Sequence, residues 1–134
     1  MVSNEELKEI LLESESIAVV GASSTPWKDA HEVSRYLQEM GYNVVPINPN
    51  SEELFDRKAY SSLDEVDVDV DIVDVFRPSR EAAAIAKQAI EVNASVLWLQ
   101  LGIESDEARK IAQKDNLTYI EDTCIMRAHK RLIS

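Results

Sequence analysis

The chain has 134 residues, 45% of them hydrophobic, with 14 Lys and Arg against 25 Asp and Glu for a net charge of −11. That length suits one domain with one buried core. So acidic a surface argues against broad nucleic-acid binding, which needs lysines and arginines facing phosphates.

The N-terminal stretch MVSNEELKEILLESES is acidic and amphipathic, unlike a secretory or organellar presequence. No apolar run approaches the ~20 residues of a membrane span, so a cytoplasmic protein is expected. Residues 4–13 predict a short helix with Leu7, Ile10 and Leu11 on one stripe, Asn4 as its cap and residues 1–15 as a helical extension. Residues 17–20, an apolar run closed by Gly21, predict a buried strand. Residues 29–40 place Ala30, Val33, Leu37 and Met40 at helical spacing, with Gly41 as the stop. Residues 42–47 predict a second strand, in which Pro46 implies a bulge or a strand end.

Residues 51–62 are poorly patterned, with a short strand expected near Ala59 and Tyr60. DEVDVDVDIVDVF then alternates acid and valine before turning apolar, so residues 70–75 predict a strand. Its ladder of Asp67, Asp69 and Asp71 places like-facing carboxylates ~6–7 Å apart, too far for a compact cage, and no metal site is expected. Helices are predicted at 79–92, 104–114 and 123–132, and strands at 95–99 and 117–120. Strands alternating with helices give an α/β, Rossmann-like, doubly wound fold. Its sheet is mostly parallel, with five to six strands and helices on both faces. Residues 1–134 form a single domain, with ligand sites outside the strands' carboxyl ends.

That rule selects the loops at 21–28, 48–50, 76–80 and 100–102. In the first, Gly21 permits a tight turn, while Ser23, Ser24 and Thr25 bring hydroxyls and Lys28 a cation beside a helix N-terminus. The result suits a phosphate or pyrophosphate, or equally a hydroxyl-rich helix cap. It matches neither G-x-G-x-x-G nor G-x-x-x-x-G-K-[ST]. The second loop has Asn48 and Pro49 where many NAD sites place an acid for the ribose diol. In the third, Phe76 offers a flat face and Arg77 and Arg80 two guanidinium groups; alternatively Phe76 packs and Arg80 is solvated.

The runs IAVVGAS, VVPINP, DIVDVF, VLWLQLG and CIM followed by His129 occur in this order. Together they resemble the small stand-alone CoA-binding proteins, which are similar to the CoA-binding domain of succinyl-CoA synthetase α subunits. The resemblance covers roughly residues 17–132. It implies coenzyme A as ligand, with the pyrophosphate near Gly21, Ala22, Ser23 and Ser24. Asn48, Pro49, Val75, Phe76 and Arg77 would line the nucleotide end, with Lys28 and Gly102 in the neighbouring loops. Two positions depart from the family pattern: Trp27 in the first loop, and Ala128 where a Glu commonly precedes the C-terminal His.

Cys124 is the one cysteine, so an intramolecular disulfide and an all-cysteine metal site are ruled out. With Thr123 as cap it would sit in a helix's first turn, where the dipole lowers a thiol pKa, while Glu121 and Asp122 oppose that effect. His129, five residues on, is off the ideal face for a catalytic pair. Cys124 is therefore either inert and buried or a redox thiol able to form a mixed disulfide with CoA. The expectation is a CoA-binding module without a complete catalytic constellation, taking CoA or acyl-CoA, with room for a protein partner or a homo-oligomer. The alternative is an NAD(P)-binding oxidoreductase or accessory subunit.

Overall fold

The computed structural model describes residues 2–133; residues 1 and 134, the ends of the expected domain, lie outside them. Helix α1 (Asn4–Glu13) buries Leu7 and Leu11. Its cap is Ser3 rather than Asn4, because the Ser3 hydroxyl accepts the Glu6 N–H at 3.2 Å. Strand β1 (Ser16–Val20) follows, then α2 (Asp29–Glu39) and β2 (Asn43–Ile47). Pro46 lies inside β2 in unbroken register with Val19, so there is no bulge. β2 is an edge strand, and the Pro46 carbonyl points outward to accept from Tyr60 N–H at 3.0 Å. The proline nitrogen shares that outward side, so no bond to β1 is lost.

A hairpin of β3 (Glu53–Leu54) and β4 (Arg57–Lys58) fills part of the poorly patterned segment. Its turn residues Phe55 and Asp56 are both left-handed, at φ 55 and 60. Phe55 anchors it: its ring packs 5.3 Å from His31, and its carbonyl accepts from Gln38 at 2.9 Å. Strand β5 (Ile72–Val75) starts two residues later than the apolar pattern suggested. Asp71 ends the preceding acidic ladder and has a structural task, accepting the Glu15 and Ser16 N–H groups at 2.8 and 3.0 Å.

A 3₁₀ turn (Ser79–Glu81) leads into α3 (Ala82–Glu91), and β6 (Val96–Leu99), α4 (Asp106–Lys114), β7 (Thr118–Ile120) and α5 (Ile125–Leu132) complete the chain. The main sheet has five strands, all parallel, in the order β2-β1-β5-β6-β7. Strand alternation splits the core between its two faces. Ile17, Val19, Ile72 and Trp98 pack with residues of α1, α2 and α5, while Ala18, Val73, Val75 and Leu97 pack with α3 and α4. Ala82, Ala86 and Ala89 are fully buried, which lets α3 lie close to the sheet and to α4. The winding reverses between β1 and β5, and this switch point opens a crevice at their carboxyl ends.

Candidate functional site

The crevice is a cleft of about 1030 Å³. Gly21, Ala22, Ser23 and Lys28 line it from the first loop, Asn48 and Pro49 from the second, and Phe76 and Arg77 from the third. The other sequence-selected residues stand outside its wall. Ser24 is exposed, Val75 is fully buried beneath, and Gly102 turns at φ 83 beyond β6 with its N–H bound to Asp122 at 2.6 Å.

Gly21 has two reasons to be glycine. Its φ is +93, and a Cβ there would meet Arg77 Cδ at 3.0 Å and the Phe76 carbonyl oxygen at 3.2 Å. The nearest neighbour that excludes a side chain is thus the third loop itself. Asn48 fastens the first two loops together: its amide donates to the Ala22 carbonyl at 2.8 Å, and its Oδ1 accepts the Asn50 N–H at 2.7 Å. His31 steadies the first loop from α2, with Nδ1 3.1 Å from the Ser23 carbonyl. A carbonyl only accepts, so Nδ1 carries the proton.

Helix α2 starts without a side-chain cap at Lys28, and the Lys28 carbonyl takes the His31 and Glu32 N–H groups. The first-turn N–H groups of Asp29 and Ala30 have no acceptor within the helix, and both residues line the cleft. Positive dipole, peptide N–H groups and the Lys28 ammonium favour an anion there, against the first-turn carboxylates of Asp29 and Glu32, of which only Asp29 lines the cleft. Trp27 also lines the cleft yet is 84% exposed. Arg77 forms a two-point pair with Glu81, Nε to Oε1 at 3.1 Å and Nη2 to Oε2 at 2.8 Å. Donation from Arg77 holds the Glu81 carboxyl below its ordinary range. The i,i+4 spacing of these residues was the available signal for that pair.

A smaller recess of about 190 Å³ lies on the other side of Phe76. It shares Asp29 and Phe76 with the cleft and is also lined by Gln100, Met126 and Cys124. Cys124, not Thr123, is the N-cap of α5, so its thiol precedes the first turn. The Gln100 side chain reaches across to accept the Ile125 N–H at 3.1 Å. Both acids beside Cys124 are engaged elsewhere, Glu121 with the Tyr119 hydroxyl and Asp122 with Gly102. His129 does not join Cys124; its Nδ1 sits 2.6 Å from the Tyr36 hydroxyl, and burial lowers its pKa.

Asp74 lies on β5, in register with Val19 and Trp98, and lines neither cavity. It is fully buried, neither carboxyl oxygen has a hydrogen-bond partner among the described residues, and burial pushes its pKa well above the usual carboxylate range.

Residues 15–130 match the family profile described as "CoA binding domain". The chain belongs to this CoA-binding-domain family. It is 42% identical to the uncharacterised protein YneT of Bacillus subtilis over 127 residues, covering 95% of this chain and 94% of that one. It is 26% identical to the ADP-forming acetate–CoA ligase of Methanocaldococcus jannaschii, of whose length it spans only 18%. Among solved structures, a hypothetical protein from Pyrococcus horikoshii superposes with a TM-score of 0.97 at 38% identity, covering 99% of this chain and 94% of that one. The family and its fold agree with the resemblance drawn from the sequence runs. Among the described residues no helix is long and apolar enough to cross a membrane.

Proposed function

We propose that the protein binds coenzyme A in the cleft, with the pyrophosphate at the Gly21–Ser24 loop and the N-terminus of α2. Asn48, Pro49, Phe76 and Arg77 border the nucleotide. The observation carrying this is the cleft itself: a hydroxyl- and amide-lined crevice at the switch point of a chain in the CoA-binding-domain family. An NAD-type ligand lacks comparable support. Where its ribose diol would need an acid, Asn48 already has its amide committed to Ala22 and its oxygen to Asn50.

The recess beyond Phe76 gives the thiol end of CoA a destination at Cys124. With CoA disulfide as oxidant, the Cys124 thiolate attacks one CoA sulfur. A protein–CoA disulfide forms as the CoA–CoA bond breaks, and the second CoA departs as a thiolate that takes up a proton. The Cys124 sulfur is oxidised and the departing sulfur reduced. The protein on this account binds, and reversibly tethers, its ligand.

Titration calorimetry against CoA, acetyl-CoA, NAD and ATP tests the binding, with preference for the CoA species expected. Preference for NAD, or no heat with either CoA species, overturns it. Intact mass after incubation with CoA disulfide tests the tether; absence of an adduct removes that step alone.

A further inference from the structure

The cleft is lined by three basic side chains among the described residues, Lys28, Arg77 and Arg80, and they are not equivalent. Arg77 is already used. Its guanidinium is forked onto Glu81, and its Cδ closes over Gly21. It occupies the space beside Gly21 where a side chain would otherwise stand. Lys28 stands at the start of α2, on the pyrophosphate side. Arg80 makes no hydrogen bond or ion pair among the described residues. It projects from the 3₁₀ turn into a wall that also includes Ser62 and Gln88; the adjacent Glu81 is paired with Arg77 at 2.8 Å and also feels the Arg80 charge, without a hydrogen bond or ion pair to it.

If the cleft holds CoA, as proposed above, one anionic group still lacks a partner. The 3′-phosphate on the ribose is a dianionic monoester, and it is what separates CoA from its 3′-dephospho form. A guanidinium free to offer a two-point hydrogen bond suits it. A rival cation, Lys58, lines a neighbouring recess that shares Pro49 and Ser61 with the cleft. Its ammonium lies 4.9 Å from the Tyr60 ring centroid, and the recess carries two carboxylates, Glu52 and Glu65, which repel a phosphate. We infer that Arg80 binds the 3′-phosphate and is the residue that ranks CoA above 3′-dephospho-CoA.

The test is calorimetry of both ligands against the intact protein and its Arg80→Gln, Arg80→Lys, Arg77→Gln and Lys58→Gln variants. The unaltered protein should bind CoA about tenfold or more tightly than 3′-dephospho-CoA. Arg80→Gln should weaken CoA about tenfold, leave 3′-dephospho-CoA unchanged and so erase the preference; Arg80→Lys should keep part of it. Equal weakening of both ligands by Arg80→Gln overturns the assignment, as does a preference lost in Lys58→Gln or Arg77→Gln while Arg80→Gln retains it. Tight binding of both ligands without preference also overturns it and leaves CoA binding standing. Failure of the unaltered protein to bind either ligand overturns CoA binding together with it.

Discussion

The two cavities flanking Phe76 differ in what walls them. The cleft is built from loops that hold one another: Asn48 to Ala22, His31 to Ser23, Arg77 over Gly21. The recess is small, is lined by the one cysteine of the chain, and is bounded by the Gln100 side chain, which bridges the loop after β6 to α5. A preorganised, hydroxyl- and cation-bearing cleft suits recognition of a large charged ligand, since less ordering is left to binding. The recess has room for only the narrow end of such a ligand. On the proposed reading, recognition in the cleft and thiol exchange at Cys124 are therefore separable by mutation.

The glycines beside the two cavities give the largest contrast. Gly21 and Gly102 both have positive φ, but a Cβ on Gly102 meets nothing within 4 Å, whereas one on Gly21 meets Arg77 and the Phe76 carbonyl. Gly21→Val should lower stability by about 2–4 kcal/mol in urea unfolding, combining backbone strain with that clash, and weaken CoA at least about tenfold. Gly102→Ala should cost about 1 kcal/mol, the backbone term alone, and spare CoA affinity. Equal losses at both positions would mean that the third loop yields and does not clamp the first.

Asp74, buried on β5 outside both cavities, tests what an unpartnered acid costs the fold. Its pKa is raised in the folded state by burial, so its contribution to stability is fully present below the unfolded value near ~3.9. That contribution is lost as pH rises through the folded pKa. Asp74→Val removes two unpartnered oxygens and should stabilise the protein by about 1–3 kcal/mol at neutral pH. The gap should widen from about pH 4 upward in unfolding measured across pH. A constant gap at every pH would show that the carboxyl titrates alike in both states.

These tests probe features of unequal visibility in the sequence. Runs such as IAVV and VLWL announced buried parallel strands because four consecutive apolar residues have no polar face to expose. Once strands and helices alternated, the loops around the cleft followed from topology. The β3–β4 hairpin escaped because its turn is Phe55-Asp56, without the Gly or Asn that usually advertises left-handed residues. Tertiary contacts of Phe55 with α2 offset that local strain. The burial of Asp74 left no local trace either, since DIVDVF fits an acid on an exposed face equally well. Cys124 moved from first turn to cap through a one-residue shift in the start of α5, the kind of boundary that pattern alone does not fix.

A thiol substitution should divide the two cavities cleanly. Cys124→Ser keeps the cap position and a polar atom while removing the sulfur. It should abolish the CoA adduct expected by intact mass and leave CoA affinity within about twofold, because the proposed anionic contacts lie in the cleft. A large loss of affinity would show that the recess contributes to recognition and that the two cavities act as one.

Trp27 offers the mildest and most local probe of the cleft. The chain has two tryptophans: Trp98 is fully buried with its indole N–H bound to the Thr123 carbonyl at 2.8 Å, and Trp27 is 84% exposed at the cleft wall. A ligand filling the cleft covers Trp27 and leaves Trp98 untouched. CoA should therefore shift the fluorescence emission toward shorter wavelength, and Trp27→Phe should abolish the shift. Because a flat ring remains, that variant should lose no more than about threefold in affinity, a few tenths of a kcal/mol. CoA that binds by calorimetry yet leaves Trp27 emission unchanged would place the ligand away from the first loop, and with it the pyrophosphate away from Gly21.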